Sequence, residues 1–199
     1  MNLKSLILMP ALLAVSLAAF AQPVRTLQYG VWHGNDEVGS MQVSRREAGG
    51  EVIYASESQM RITMLISVDL RFRYEVRFRD GQLQSSMTEN YRDGHLKGRS
   101  TGRRTASGYE VERDGERFAV NPANIDLCIS SLYFQEPRDY THIFSERWGT
   151  YVPVRSLGSG RYELSLPNGD RNTVQYAGGL CRELTVNHSL SSITFRLKN

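Results

Sequence analysis

The chain has 199 residues, 40% of them hydrophobic, with 24 Lys and Arg against 21 Asp and Glu for a formal charge of +3. So small a balance makes no case for a nucleic-acid partner, and the length suits a single domain with one sizeable core. The chain opens with MNLKSLILMPALLAVSLAAFAQP, in which Lys4 gives a basic start, Leu6 to Phe20 an apolar centre, and Ala19-Phe20-Ala21 a small-x-small cleavage pattern before Gln22. That is the pattern of a secretory signal peptide over residues 1–21, too short and wrongly flanked to stay in a membrane. No Cys stands at the cleavage position to take a lipid, and no later run is apolar enough for a transmembrane segment in the mature chain. The expectation is an exported protein, periplasmic or extracellular, whose residues 22–199 form one β-rich domain.

Strand signals and tight turns then follow one another. TLQYGVWH and VGSMQVSRRE flank the turn signal GNDE, and AGGE leads into VIYASES. From Met60 to Phe78 every even position is apolar, while the odd positions carry Arg61, Asp69, Arg71, Arg73, Glu75 and Arg77. Extended at about 3.3 Å per residue, these nineteen residues would reach roughly 60 Å. A compact domain of this length is only roughly 40 Å across. The sheet must therefore curve, and a bend or bulge is expected between Thr63 and Ser67, where Leu65 interrupts the polar face. In QLQSSMTENYR, Leu83, Ser85, Met87, Glu89 and Tyr91 alternate with polar residues. Asp80-Gly81, Asp93-Gly94 and Asp114-Gly115 separate successive alternating segments. Such dipeptides mark two-residue hairpin loops, because those loops need positive φ. The first half reads as an antiparallel meander.

The pattern changes at NPANIDLCISSLYFQEP. Between Pro122 and Pro137, Ile125, Leu127, Cys128, Ile129, Leu132 and Tyr133 cluster with near-helical spacing, which predicts one short helix within Ala123–Phe134, packed against the sheet. Beyond it the β pattern resumes through THIFSERWG, YVPVRSLG, RYELSLPNGD, NTVQYAGG, CRELTVNH and SITFRLKN. The parity of the apolar positions shifts around HSLSS, which predicts a bulge or a turn there. Cys128 and Cys181 are the only cysteines. In an oxidising compartment they stand as either a disulfide or two small buried thiols.

The segments YGVWHGNDEVGSMQVSR, YFQEP, FSERWG and the VPV that follows resemble an uncharacterised family of exported bacterial proteins, a domain of unknown function. The resemblance runs from about Tyr29 to Lys198. It implies an exported, mostly β protein and carries no catalytic residues. More loosely, the long hairpins resemble the open half-barrels of periplasmic lipoprotein carriers, in which a curved sheet wraps a helix and shelters acyl chains. The fold expected is thus all-β, an antiparallel meander forming a strongly curved sheet or open half-barrel with one short helix.

Few residues offer chemistry. His33, His95, His142 and His188 are scattered, and no His or Cys set has zinc spacing. There is no nucleophile elbow, and no cofactor motif is present. The protein reads as a non-enzyme, with an undetected hydrolase as the outside alternative. In FSERWG, Phe144 and Trp148 can line a ligand cleft with Arg147 holding an anionic head group, or Trp148 can anchor the core before the Gly149 turn. Phe72, Tyr74 and Tyr133 complete the candidate ligand set, since they can fill a concave face. The arginines of the long alternating stretch read as the solvated outside of the sheet, against the alternative of a basic stripe for anionic lipids or glycans. Two functions follow. One is a non-catalytic carrier of an apolar or lipid-like ligand on the concave face, with a partly unfilled cavity beside the helix. The other is a structural or interaction protein of the cell envelope with a protein partner.

Overall fold

A computed structural model describes residues 24–63, 66–188 and 191–198, with only the backbone of His188 and Ser191. Residues 1–21, where a signal peptide is expected, lie outside the described residues. Fourteen strands form one antiparallel sheet: β1 (Val24–His33), β2 (Asp36–Ala48), β3 (Glu51–Thr63), β4 (Ser67–Arg79), β5 (Gln82–Arg92), β6 (His95–Thr105), β7 (Gly108–Arg113), β8 (Glu116–Val120), β9 (His142–Ser145), β10 (Thr150–Gly158), β11 (Arg161–Ser165), β12 (Arg171–Ala177), β13 (Leu180–His188) and β14 (Ser191–Leu197). Their order is β8-β7-β6-β5-β4-β3-β2-β1-β14-β13-β12-β11-β10-β9. Each half is a meander, and the pairing of β1 with β14 joins the halves. Among the described residues no helix is long and apolar enough to cross a membrane.

The Asp-Gly turns behave as their sequence demands. Asp80, Asp93 and Asp114 sit at φ 51° with the following glycines also positive. Arg79 thus faces Gln82, Arg92 faces His95 and Arg113 faces Glu116 across two-residue loops.

The long alternating stretch is not one bent strand. Thr63 pairs with Ser67, Ile62 with Val68 and Met60 with Leu70, so the chain reverses between β3 and β4. Met64 and Leu65, where the bend was expected, lie outside the described residues. Three residues separate Thr63 from Ser67, and an odd loop leaves the inward parity unbroken. Alternation specifies which face a residue takes, not the direction of the chain.

The expected helix within Ala123–Phe134 is reduced to a single 3-10 turn at Ile129–Ser131. Ile125 and Leu127 are fully buried while Asn124 and Asp126 are exposed, the two-residue period of extended chain. Tertiary partners take the carbonyls a helix would have used internally. The N–H of Leu83 donates to Ile125 O at 2.8 Å, that of Phe144 to Leu127 O at 3.2 Å and that of Cys181 to Tyr133 O at 3.2 Å. Arg104 donates to Ala123 O at 2.9 Å and the Tyr176 hydroxyl to Leu132 O at 2.8 Å. The segment from 121 to 141 is therefore a plug hydrogen-bonded to both halves of the sheet, and it fills space where a helix-lined cavity was expected.

The sheet stays unclosed, its edge strands β8 and β9 unpaired with each other. The tight turn from Ser145 to Gly149 joins β9 to β10 through Gly149 N–H to Ser145 O at 2.7 Å. It lies on the concave side of β6, β7 and β8. Ser100 donates to Glu146 O at 2.8 Å and Arg113 to Trp148 O at 2.9 Å, and Gly149 sits against Val111 and Phe118. One edge of the rolled sheet is tucked inside the other. Two apolar clusters result, one centred on Tyr29, Val31, Met41 and Phe195, the other on Val76, Phe78, Leu83, Tyr109 and Phe144.

Candidate functional site

The concave wall changes character along β3 to β7. At one level, Tyr54, Val76, Ser86, Gly102 and Val111 are cross-strand neighbours; at the next, Ser56, Tyr74, Thr88, Ser100 and Arg113. The second row is a polar belt inside the roll. A bulge produces it: Phe78 faces Leu83 but Arg77 faces Ser85, so Gln84 is the extra residue of β5. Upstream of the bulge Leu83 points inward and is fully buried; downstream Ser86, Thr88 and Asn90 take the inner face and Met87 and Tyr91 the outer. The sequence reading put Leu83, Met87 and Tyr91 on one face, and this single extra residue overturns it.

On the belt sits Glu146, which is 1% exposed. Its carboxylate accepts the Ser130 N–H at 2.8 Å, and among the described residues it has no ion-pair partner. Burial pushes the neighbouring Cys128 thiol well up, and the negative charge of Glu146 and a hydrogen bond to it push further. Burial likewise raises the Tyr74 phenol, against the pull of the nearby Arg147 guanidinium. Ser145 Oγ is buried without a hydrogen-bond partner. The plug supplies the Ser130 N–H and the belt supplies Ser100, so the carboxylate joins the tucked edge to the plug.

The candidate ligand residues scatter. Tyr74 and Arg147 meet on the belt. Tyr133 packs edge-on against Tyr29 with centroids 5.6 Å apart and donates to Met41 Sδ at 3.7 Å. Phe144 is 0% exposed, packed between Tyr109 and Tyr151, so it holds the core. Trp148 is half-buried beneath the guanidinium groups of Arg113 and Arg147 at 5.6 and 5.8 Å. Of the six, Phe72 lines one cleft and Tyr74 a separate groove. Cys128 and Cys181, expected as either a disulfide or two small buried thiols, are free, buried thiols in different clusters. Burial pushes Cys181 up to about 12.

That cleft, of about 530 Å³, opens on the concave side beyond the belt. It is lined by Leu70 and Phe72 of β4, Asn90, Tyr91 and Arg92 of β5, Asp93, and His95 and Lys97 of β6. Lys97 is there through a second bulge: Asn90 faces Gly98 but Tyr91 faces Leu96, which leaves Lys97 as the extra residue. Neither Lys97 nor His95 has an acidic partner among the described residues, and Arg92 has only Asp93 at 3.7 Å.

The convex arginines differ. Arg61 pairs with Asp69 at 2.6 Å, Arg71 with Glu57 at 2.6 Å, Arg77 with Glu75 at 2.7 Å and Arg79 with Glu51 at 2.7 Å; Arg73 lies between Glu57 and Glu89. Two grooves lie beside them, one of about 630 Å³ that also reaches Val38, Met60 and Leu70, and one of about 440 Å³ with a mostly polar lining. Their charge is neutralised within the sheet, which fits a solvated outer wall.

No set of three or more His, Cys, Asp or Glu among the described residues could hold a metal ion. Residues 29–198 match the model of a domain of unknown function, DUF6134. The chain belongs to that family. Among solved structures it is similar to a β-barrel-like protein of another domain of unknown function, DUF1849, from Brucella abortus, at 11% identity and a TM-score of 0.55 over 89% of this chain and 96% of that one. At that identity the likeness is one of fold. No curated protein matches the chain. The expectation of an uncharacterised β-rich family, and of an all-β curved, unclosed sheet, is met.

Proposed function

We propose that this DUF6134 chain is an exported, non-catalytic binding protein that takes a lipid-like ligand in the concave cleft over Leu70 and Phe72. The observation that carries the reading is the contrast inside the roll. The plug fills the apolar clusters and the tucked turn from Ser145 to Gly149 occupies the polar belt, whereas half-buried Leu70 and Phe72, packed on one side against the first cluster, also line the cleft. A volume of about 530 Å³ is in the range of small-molecule sites, which combine an apolar floor with a few polar groups. Trp148, first read as part of a head-group site, seats the tucked edge on β7 through its carbonyl and its ring, both against Arg113.

The test is organic extraction of the purified protein followed by mass spectrometry, with titration of the neutral dye N-phenyl-1-naphthylamine. The reading expects recovered acyl lipid and dye binding that the Leu70→Ser/Phe72→Ser double variant weakens at least tenfold while keeping its cooperative thermal transition. No lipid and no dye binding would end it. Export is tested by N-terminal sequencing of protein released from the cell, which should begin at Gln22.

A second reading, an interaction protein of the cell envelope, draws on Ile66 and Leu96, 79% and 49% exposed beside the hairpin ends. It expects Ile66→Ser/Leu96→Ser to abolish capture of an envelope protein partner while leaving dye binding intact.

A further inference from the structure

The bulge at Lys97 gives the cleft a chemistry that an apolar carrier does not require. Resting on the ligand reading above, we propose that the cleft is selective for anionic amphiphiles, with the acyl chain on Leu70 and Phe72 and a carboxylate or phosphate head held by Lys97, His95 and Arg92. Three cationic or protonatable side chains line the cleft, with Arg92 and His95 in the cross-strand row that continues from Leu70. Bulges re-aim a single side chain at the cost of a ladder position, and here the re-aimed side chain is the lysine.

The charge arrangement makes the choice of sign. On the convex face of the same hairpins each of Arg61, Arg71, Arg73, Arg77 and Arg79 has a carboxylate within 4.0 Å. At the cleft Lys97 and His95 have none among the described residues, and the one acid lining it, Asp93, is already engaged: its carboxylate accepts the Asp69 N–H at 3.0 Å and lies near Arg92. An anionic head group would meet donors there and no free carboxylate. Asn90 adds an amide that can donate to the same oxygens. A cationic head group would meet repulsion, and a neutral one would leave the lysine unpaired. An exposed ammonium keeps its water until a ligand arrives, so the selectivity resides in the head group and the bulk of the affinity in the chain.

The experiment displaces N-phenyl-1-naphthylamine with four ligands of equal chain length: dodecanoate, dodecyl phosphate, dodecanol and dodecyltrimethylammonium. The proposal expects the two anions to displace the dye at concentrations at least tenfold below the alcohol, with the ammonium weakest and the advantage shrinking in high salt. Dodecanoate against dodecyl phosphate then separates a carboxylate from a phosphate head. The Arg92→Ser/His95→Ser/Lys97→Ser variant should bind anion and alcohol within twofold of each other, with the alcohol unchanged from the parent. Arg71→Ser/Arg73→Ser on the convex face should keep the full preference. Equal displacement by anion and alcohol in the parent, or a preference that survives the triple variant, would overturn the anionic assignment and leave the apolar-ligand reading standing. Absence of dye binding altogether would overturn both.

Discussion

The belt and the cleft share strands β4, β5 and β6 and lie one or two register steps apart, yet they have opposite fates. At the belt Ser100 and Arg113 give their hydrogen bonds to Glu146 O and Trp148 O, and Glu146 takes the Ser130 N–H. At the cleft Lys97 and His95 have no acidic partner among the described residues and Phe72 is half-buried. The two bulges, at Gln84 and at Lys97, divide them. The first turns hydroxyls inward, where the chain's own tucked edge satisfies them; the second aims a lysine into open space. A polar residue facing inward is thus no mark of a binding site by itself, because what counts is whether the chain supplies its partner.

The comparison can be broken most severely at Glu146. Glu146→Ala removes a buried side chain and leaves the Ser130 N–H unpaired, and should cost about 3 kcal/mol in urea unfolding. Glu146→Gln keeps an acceptor and should cost at most about 1 kcal/mol. Equal losses would mean that the charge itself holds the edge. Gly149→Ala comes next, at about 2 kcal/mol by the same measurement. Gly149 has φ +64°, and a Cβ there would meet Val111 and Phe118 at 2.8 Å.

Alkaline pH probes the closed interior as a whole. Burial holds the thiols of Cys128 and Cys181 and the phenols of Tyr29, Tyr133 and Tyr176 above their ordinary values of 9.0 and 10.0. The folded state therefore keeps these protons where the unfolded chain releases them. Stability is full below about pH 9 and falls above it, by about 1.4 kcal/mol per pH unit for each such group while only the unfolded form titrates. At pH 8 neither thiol should react with a disulfide reagent until urea is added. Fast reaction of either one in the native protein would place it outside the core.

Smaller effects sharpen the picture. Ser100→Ala removes one buried hydrogen bond to Glu146 O and should cost about 1 kcal/mol. Arg73→Ser on the convex face should cost at most about 0.5 kcal/mol, since its partners are exposed or distant.

Much of the fold was legible. Three Asp-Gly turns set the hairpins, and the parity of Met60 to Phe78 gave the inner face correctly, with Met60, Val76 and Phe78 buried. The chain reversal inside that stretch was invisible because an odd loop conserves parity. The plug was misread because Ile125, Leu127, Cys128 and Leu132 satisfy a helical and an extended period at once, and only tertiary hydrogen bonds to Leu83 and Phe144 decide between them. Of the six candidate residues, Phe72 lines the proposed cleft. Lys97 and Glu146 were missed, since a bulge and a tucked edge depend on strand register. QLQ before SSMTEN did carry a signal for the first bulge, a break between Leu83 and the hydroxyl-rich run.

The most direct test uses amide NMR of the protein with a spin-labelled dodecanoate. The account predicts paramagnetic broadening strongest at Leu70, Phe72, Asn90 and Lys97 and weaker at Ser100, Ser130 and Glu146. Broadening centred on the belt, or spread evenly along the convex strands, would contradict it.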